Sequence, residues 1–190
     1  MRIKNIKINI KKSQIRNIKR WSLTAFAISL LLTSLFVLNA FAKTETQSSI
    51  ILKMTNKERA SRSLEPLSEN RILERAAYAK ARDMFDNQYF DHISPQGRTP
   101  WYFINEAGYD YAYAGENLAI DFDDITSIQT AWMNSPSHRE NILNSSFKDL
   151  GVVSVTDLYK GKTTTITVEM FGRTMFDTVI DKFLLSFSKT

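Results

Sequence analysis

An uncharged apolar run at residues 21–38 follows a strongly basic N-terminal stretch, and together they limit which part of the chain can fold. Residues 1–20 contain eight Lys and Arg and no Asp or Glu. Ala40 and Ala42 then form a small-x-small pair. Basic, apolar and small-residue parts in this order are typical of an export signal, with cleavage expected after Ala42.

The same run also fits an uncleaved membrane anchor, since it approaches the roughly 18 to 20 residues that span a bilayer. Both interpretations place residues 43–190 outside the cytoplasmic membrane, because Lys and Arg remain on the cytoplasmic side. We therefore expect a secreted or extracytoplasmic protein, either released or held by its N-terminal segment. The predicted organisation is a signal peptide or anchor at 1–42, a linker at 43–49, a folded domain at 50–172 and a C-terminal tail at 173–190.

The charge of the whole chain is misleading unless its distribution is considered. The formal net charge is +5 and the pI is about 9.4. Beyond residue 42, however, 17 basic residues face 20 acidic ones, a net charge of −3. A basic footprint for nucleic acid is therefore absent from the part that can fold, and we expect no nucleic-acid partner.

The chain has no cysteine, which excludes disulfides and a thiolate nucleophile. The exported part must therefore be stabilised by packing.

Helical patterns dominate the first part of this domain. Apolar residues recur near a 3.6-residue period from Ser49 onward, until residues 64–67 break the pattern. Ser68 is the predicted N-cap of a second, core-facing helix. Its buried stripe comprises Ile72, Leu73, Ala76, Ala77, Lys80, Ala81, Met84 and Phe85. Thr99 precedes a short helix with Pro100 at its first position, and Gly108 ends that helix.

The second part predicts two more helices and a hairpin. Asp123 or Asp124 caps a helix that runs to about Asn134, and another helix begins at Ser135. Strands are predicted at 150–156 and 163–171, with a turn at 160–162 between them. On the second strand, one face carries Ile166, Val168 and Met170, and the other carries Thr165, Thr167, Glu169 and Phe171. Tyr109, Tyr111 and Tyr113 alternate, which suits a half-buried strand and a binding surface equally. Helices followed by a hairpin predict an α+β fold with a small antiparallel sheet.

Five short motifs occur in an order that resembles a known family. They are Asp91-His92-Ile93-Ser94-Pro95, Gly115-Glu116-Asn117-Leu118, the run from Trp132 to Leu143, Gly151-Val152-Val153, and Phe171-Gly172. This order is similar to that of the bacterial branch of the CAP family, the cysteine-rich secretory, antigen 5 and pathogenesis-related 1 proteins. Asn56, Arg59 and Leu67 also fit the opening helix of that family. The resemblance covers roughly residues 50–172.

The resemblance implies an α-β-α sandwich with a central cleft that carries two His and two acidic residues. Residue by residue, His92 and His138 match the two histidines, and Glu116 matches the first acid. The position of the second acid is occupied by Ser135. Glu140 and Glu169 are candidates to replace it.

The chemistry of these residues points to a metal site. His92 and His138 are the only histidines of the chain. With Glu116 they would supply a His₂Glu set, which binds Zn²⁺ or another divalent cation and leaves a fourth position open. Ser135 as N-cap places His138 in the first turn of its helix, where the helix dipole disfavours imidazolium. The simpler alternative is that both histidines are hydrogen-bonded packing residues and that Glu116 closes a turn.

Two classes of function remain open from the sequence, besides a structural envelope protein with a vestigial site. The first is an extracellular or cell-envelope binding module whose cleft holds a divalent metal and a lipid, sterol or cell-wall ligand. The alternative is a metal- or serine-dependent hydrolase at the same cleft, in which a histidine activates Ser94, Ser135 or Ser137. Nothing in the sequence resembles a nucleophile elbow, and no oxyanion hole can be identified.

The C-terminal tail carries its own apolar pattern. The stripe comprises Phe176, Val179, Ile180, Phe183, Leu184 and Phe187. We expect it to pack back onto the domain. The alternative is that it docks on a membrane or on a partner.

Overall fold

A computed structural model describes residues 46–122 and 124–187. The predicted signal peptide or anchor lies outside these residues. Within them, no helix is both long and apolar enough to cross a membrane. The helices are α1 Gln47–Ala60, α2 Arg71–Asp86, α3 Pro100–Glu106, α4 Ile125–Asn134, α5 Pro136–Leu143 and α6 Met175–Phe187. The strands are β1 Ser68–Glu69, β2 Tyr111–Ile120, β3 Asp149–Tyr159 and β4 Lys162–Thr174.

The four strands form one sheet in the order β1-β3-β4-β2. The predicted hairpin is confirmed as β3 and β4, and both strands are longer than expected because their pairing continues from Asp149 to the turn. The turn itself places Lys160 and Gly161 at positive φ. Strand β2 pairs antiparallel with β4 and forms one edge of the sheet. It contains Tyr111 and Tyr113, whereas Tyr109 is buried just before it. The short strand β1 pairs parallel with β3 and was not predicted.

Helices cover both faces of the sheet. On one face, α2 and α3 pack against Ile166, Val168 and Met170, the residues predicted to share a face. On the other, α1, α4 and α5 pack around Phe171. The result is the α-β-α arrangement expected from the sequence. Helix α2 lies so close to β3 that a Cβ atom on Gly151 would come within 2.2 Å of the Glu74 backbone nitrogen.

Most helix starts follow the capping chemistry of the sequence, with one correction. The Asp124 side chain accepts a hydrogen bond from the backbone nitrogen of Ser127, as an N-cap should. Helix α5 begins at Pro136 behind Ser135, as predicted. The prediction that Ser68 caps the second helix is wrong, because Ser68 belongs to β1. The cap is Asn70, whose side chain accepts from Ile72 and Leu73.

Two polar side chains of α1, the half-buried Asn56 and the buried Arg59, hydrogen-bond to neighbouring segments of the chain. The Asn56 side chain both donates to the carbonyl oxygen of Leu67 and accepts from its backbone nitrogen, at 2.9 and 2.7 Å. The Arg59 guanidinium donates to the carbonyl oxygens of Ile142 and Asn144 at 2.9 Å. Because the end of α5 depends on Arg59, α1 helps to fix the helix that carries His138.

The apolar stripe of the C-terminal tail does not pack back onto the domain. Side chains of α6 such as Phe176, Phe183 and Leu184 are 73, 59 and 59% exposed. The prediction was wrong because the polar side of α6, not its apolar side, faces the sheet: Asp181 forms ion pairs with Lys148 and Arg173.

Candidate functional site

His92 lies in the loop between α2 and α3, and a buried lysine holds this loop in place. Lys80, on α2, is fully buried, and its ammonium donates to the carbonyl oxygens of Asp91 and His92, both at 2.8 Å. A third bond goes to the Tyr89 hydroxyl at 3.0 Å. Burial lowers the pKa of Lys80, although nearby Glu116 and Asp83 oppose this effect. The buried ammonium group of Lys80 therefore fixes the backbone position of His92.

Glu116 extends from the edge strand β2 and contacts His92 directly. Its Oε1 lies 2.6 Å from Nδ1 of His92. The Glu116 side chain is only 2% exposed, whereas the His92 side chain is 51% exposed. The second carboxylate oxygen, Oε2, is buried and has no hydrogen-bond partner. A buried acceptor without a partner is unusual and marks a place where a ligand, ion or water fits.

The contact between His92 and Glu116 changes how tightly the two groups hold protons. The hydrogen bond to Glu116 raises the pKa of His92, and burial opposes this effect. Burial also raises the pKa of Glu116, although the hydrogen bond to His92 and the charge of Lys80 oppose it. Both shifts retain protons, so the pair carries its proton to higher pH than a free histidine would.

His138 reaches the same region from the first turn of α5. The Asn117 side chain donates to the His138 carbonyl oxygen at 3.2 Å. Asn141, one turn further along α5, donates to the Glu116 carbonyl oxygen at 3.0 Å and to the Asn117 side chain at 2.9 Å. These bonds fasten α5 to the edge of the sheet, beside Glu116.

His138 is held neutral by its surroundings. Burial is the main cause that lowers the pKa of this imidazole, and the positive charge of His92 adds to it. Strand β2 connects the two histidines, because Glu116 contacts His92 and the next residue, Asn117, bonds to the backbone of His138. The site therefore combines a proton-retaining His92–Glu116 pair with a neutral imidazole, which suits a metal ligand or a general base.

The two candidates for the missing acid have different surroundings. Glu140 is exposed on α5. Glu169 is fully buried behind the site, where its carboxylate accepts from Asn117 at 3.0 Å and from Thr55 at 3.3 Å. Burial raises the pKa of Glu169 to about 8. Glu169 thus supports Asn117, which in turn holds the backbone of His138.

The candidate serines are engaged elsewhere. The Ser94 hydroxyl accepts from the backbone nitrogens of Gln96 and Arg98 and shapes the His92 loop. The hydroxyls of Ser135 and Ser137 lie 3.4 Å from each other. Among the residues that the structure describes, no hydrogen bond joins either imidazole to a serine hydroxyl.

The donor set limits how a cation could be held. Within residues 46–122 and 124–187, no three His, Cys, Asp or Glu side chains form a group placed to hold an ion. Since Glu116 engages Nδ1 of His92, the free nitrogen donors are Nε2 of His92 and the ring of His138. A carboxylate on the second nitrogen is the usual outer partner of a metal-binding imidazole. A cation here would therefore have at most these two imidazoles as ligands, with no third His, Cys, Asp or Glu of the described residues placed to join them.

A separate cavity lies away from these residues, between α1, α4 and the sheet. Its volume is about 470 Å³. The apolar part of its lining is Ile50, Phe122, Ile125 and Ile128, and the polar part includes Ser154, Thr165 and Thr167. It contains none of the three predicted site residues.

Helices on both faces of a four-stranded sheet, with a His–Glu pair at the sheet edge, define an α-β-α sandwich of the CAP type. Residues 52–171 match the Cysteine-rich secretory protein family (CAP). The chain belongs to this family, as the motifs predicted.

Similar proteins come from several bacteria. The YkwD protein of Bacillus subtilis is 41% identical over 102 residues, which is 54% of this chain and 40% of that protein. An extracellular Bacillus anthracis protein that contains an SCP domain has a similar structure, with a TM-score of 0.58 and 29% identity, over 67% of this chain and 40% of that one. An outer surface protein of Borrelia burgdorferi also has a TM-score of 0.58, with 25% identity over 66% of this chain and 90% of its own. The chain spans well under two thirds of the first two relatives.

Proposed function

We propose that this protein is an exported binding module of the cell envelope whose site, formed by His92, Glu116 and His138, holds a divalent cation and a small ligand. The observation that carries this proposal is the buried, unpartnered Oε2 of Glu116, whose other carboxylate oxygen contacts His92. Leaving a buried acceptor unsatisfied costs about 1–3 kcal/mol, so a hydrogen-bond donor of a bound ligand recovers that free energy.

The imidazoles of His92 and His138 would hold the cation, Zn²⁺ being favoured by nitrogen ligands. Glu116 would orient His92 through its Nδ1 hydrogen bond. A cation at this position would supply Lewis acidity and attract an anionic or carbonyl-containing ligand. Two protein ligands are fewer than Zn²⁺ sites usually have, so we expect micromolar binding and coordination positions left open for the ligand.

Export is supported by two independent observations. The N-terminal 42 residues have the order of a signal peptide or anchor. The two similar solved structures are of proteins described as extracellular and as an outer surface protein. A protein outside the cell meets lipid and cell-wall components, which are the ligands that we propose.

The cavity between α1 and α4 suits the lipid part of this proposal. Its apolar wall can accept an acyl chain, while Ser154, Thr165 and Thr167 offer polar contacts. A fluorescent fatty acid should bind the wild type and be released by the substitution Ile128→Lys, which puts a charge in the cavity wall. Equal binding by both proteins would remove the lipid from the proposal.

A hydrolase is the second candidate, and the neutral state of His138 favours it. A neutral, partly exposed imidazole can accept a proton from an attacking water. If the protein is a hydrolase, the substitution His138→Ala abolishes turnover while the fold persists. If it is a binding module, ligand is retained and no turnover appears with cell-wall or ester substrates.

Calorimetric titration of Zn²⁺ into untagged residues 43–190 at pH 7.5 tests the metal. Because the chain has two histidines, the double substitution His92→Ala, His138→Ala removes every imidazole. We expect micromolar binding by the wild type, weaker binding by Glu116→Gln and none by the double variant. Glu140→Gln is the matched control on α5 and should bind like the wild type. A folded wild type that does not bind Zn²⁺ would refute the metal site and favour a structural role for both histidines.

A further inference from the structure

Helix α6 is attached to the domain by its polar side. The Asp181 carboxylate pairs with Arg173 and, at 2.9 Å, with Lys148. The Asp177 carboxylate accepts from the Thr174 hydroxyl at 2.5 Å. The contact of Asp177 is local to the start of the helix, and the ion pairs of Asp181 fix the rotation of the helix about its axis. An amphipathic helix ordinarily turns its apolar side inward, so this orientation is reversed.

The outward side of α6 is a continuous apolar stripe. Its residues follow one another at spacings of one and three, which keeps them on one side of a helix. They are Met175, Phe176, Val179, Ile180, Phe183 and Leu184, which are 49, 73, 59, 38, 59 and 59% exposed. These six residues are called the α6 stripe below.

The area of the α6 stripe indicates that it forms an interface with another surface in the functional protein. The six exposures correspond to roughly 600 Å² of apolar surface, which lies at the upper end of the largest patch on an ordinary monomer. Such a patch on a folded domain usually marks an interface.

The charges of α6 distinguish two possible partners, a lipid surface and another protein. Asp177, Asp181 and Lys182 give the helix a net charge of −1. Helices that lie on anionic membranes combine an apolar side with several Lys and Arg. Helix α6 has two acidic residues and a single basic one, so its charge does not favour a bilayer. An apolar partner surface without a charge requirement fits better.

We propose that α6 is a dimerisation helix, whose stripe pairs with the α6 stripe of a second copy of this chain. A straight stripe along a helix is complementary to itself when two copies lie antiparallel about a two-fold axis. Around a midpoint near Ile180, Phe176 of one copy then faces Leu184 of the other. Complete burial of both stripes would remove at most roughly 1,200 Å² from water, at the lower end of stable interfaces. The dimer is therefore reversible, with a dissociation constant in the micromolar range.

Sedimentation of residues 43–190 over a range of about 1 to 200 µM tests the association. Residues 45–190 form a compact unit of their own, so this fragment retains the complete core. The substitution Phe183→Lys should weaken dimerisation at least about 30-fold, as expected at the centre of an interface. Leu158→Lys, at a residue that is 58% exposed on β3, is the control and should dimerise like the wild type. Circular dichroism shows whether each variant is folded.

Cysteine cross-linking of the full-length chain tests the geometry, because the chain has no cysteine of its own. Ile180→Cys, at the midpoint, should form a disulfide-linked dimer under mild oxidation, and Leu158→Cys should not. Phe176→Cys mixed with Leu184→Cys should form more cross-linked dimer than either variant alone.

A wild type that is monomeric up to 200 µM would overturn the dimer. If that monomer binds vesicles of phosphatidylglycerol through the α6 stripe, the partner is a lipid surface instead. Dimerisation that survives Phe183→Lys would also overturn the proposal, since the interface would then lie elsewhere. Loss of Zn²⁺ binding has no bearing on these results, because α6 contributes no residue to the His92–Glu116–His138 site.

Discussion

The two histidines of the proposed site have opposite electrostatic surroundings. His92 is half exposed and bonded to a carboxylate, so its charged form is stabilised. His138 is partly buried and faces a positive neighbour, so its neutral form is stabilised. A proton-retaining group and a neutral imidazole in one site would suit acid–base or ligand chemistry.

Titration of the two imidazoles by NMR checks this assignment. We expect His92 to titrate above the usual pKa of about 6.5 and His138 below it. The substitution Glu116→Gln removes the carboxylate charge, so the pKa of His92 should fall. The pKa of His138 should then rise, because His92 is less often charged. Single His→Ala variants assign the two signals, and a reversed order of the pKa values would contradict the electrostatic account.

Sequence motifs identify the three side chains of the site but not the groups that hold them. Lys80 falls on the apolar stripe of α2, and its position alone predicts burial. A buried lysine must be paired, yet its partners are the carbonyl oxygens of Asp91 and His92 in a loop whose path the sequence does not reveal. Asn141 was likewise unrecognised, because its contacts with Glu116 and Asn117 depend on how α5 meets the sheet.

Among the elements, α2 and β3 lie close together at Gly151. At Gly151 the strand passes directly beneath the first turn of α2, against Leu73 and Glu74. The absence of a side chain lets the two backbones approach. Lys80, also on α2, bonds to the loop that carries His92. The contact between α2 and β3 therefore also helps to fix the position of this loop relative to the sheet.

The substitution Gly151→Ala tests the importance of this contact. The new Cβ would lie 2.2 Å from backbone atoms of Leu73 and Glu74, which cannot move without shifting the helix. We expect a loss of at least about 3 kcal/mol in the free energy of unfolding, at the upper end for overpacked cores. Gly161→Ala is the control, because nothing lies within 4 Å there and only its positive φ is strained. It should cost about 1–2 kcal/mol. Urea denaturation measures both, and equal losses would refute the close-packing account.

Elements with a strong local pattern were predictable, and those that depend on distant pairing were not. The alternation from Ile166 to Met170 and the turn at Gly161 are encoded locally, so the hairpin was found. Strand β1 has two residues and exists only because Ser68 and Glu69 meet Asp149 and Leu150. The orientation of α6 depends on ion pairs to Lys148 and Arg173, which the apolar stripe does not reveal.

At the scale of the whole molecule, a buried carboxyl connects the sheet with α1 and the site. Glu169 extends from β4 and accepts hydrogen bonds from Thr55 on α1 and Asn117 on β2. Its side chain is fully buried. Burial without a countercharge favours the protonated form, so the folded protein retains a proton here that the unfolded chain releases.

The stability of the protein should therefore depend on Glu169 between about pH 4.5 and pH 8. The pKa of Glu169 is raised from 4.5 in the unfolded chain to about 8 in the folded protein. The folded state binds the extra proton in this window, so the free energy of unfolding falls as pH rises. The contribution of Glu169 to this fall should be up to about 4 kcal/mol.

Urea denaturation of the wild type and of Glu169→Gln between pH 5 and pH 8 measures this contribution. A glutamine mimics the protonated carboxyl and can still bond to Asn117 and Thr55, so the variant should be the more stable protein at pH 8 and similar to the wild type at pH 5. Other titrating groups, His92 and His138 among them, remain in both proteins, so the difference between the two curves isolates Glu169. Glu140→Gln, at an exposed carboxylate, should follow the wild type throughout. If Glu169→Gln keeps the full pH dependence, the proton is held elsewhere and Glu169 is ionised in the folded protein.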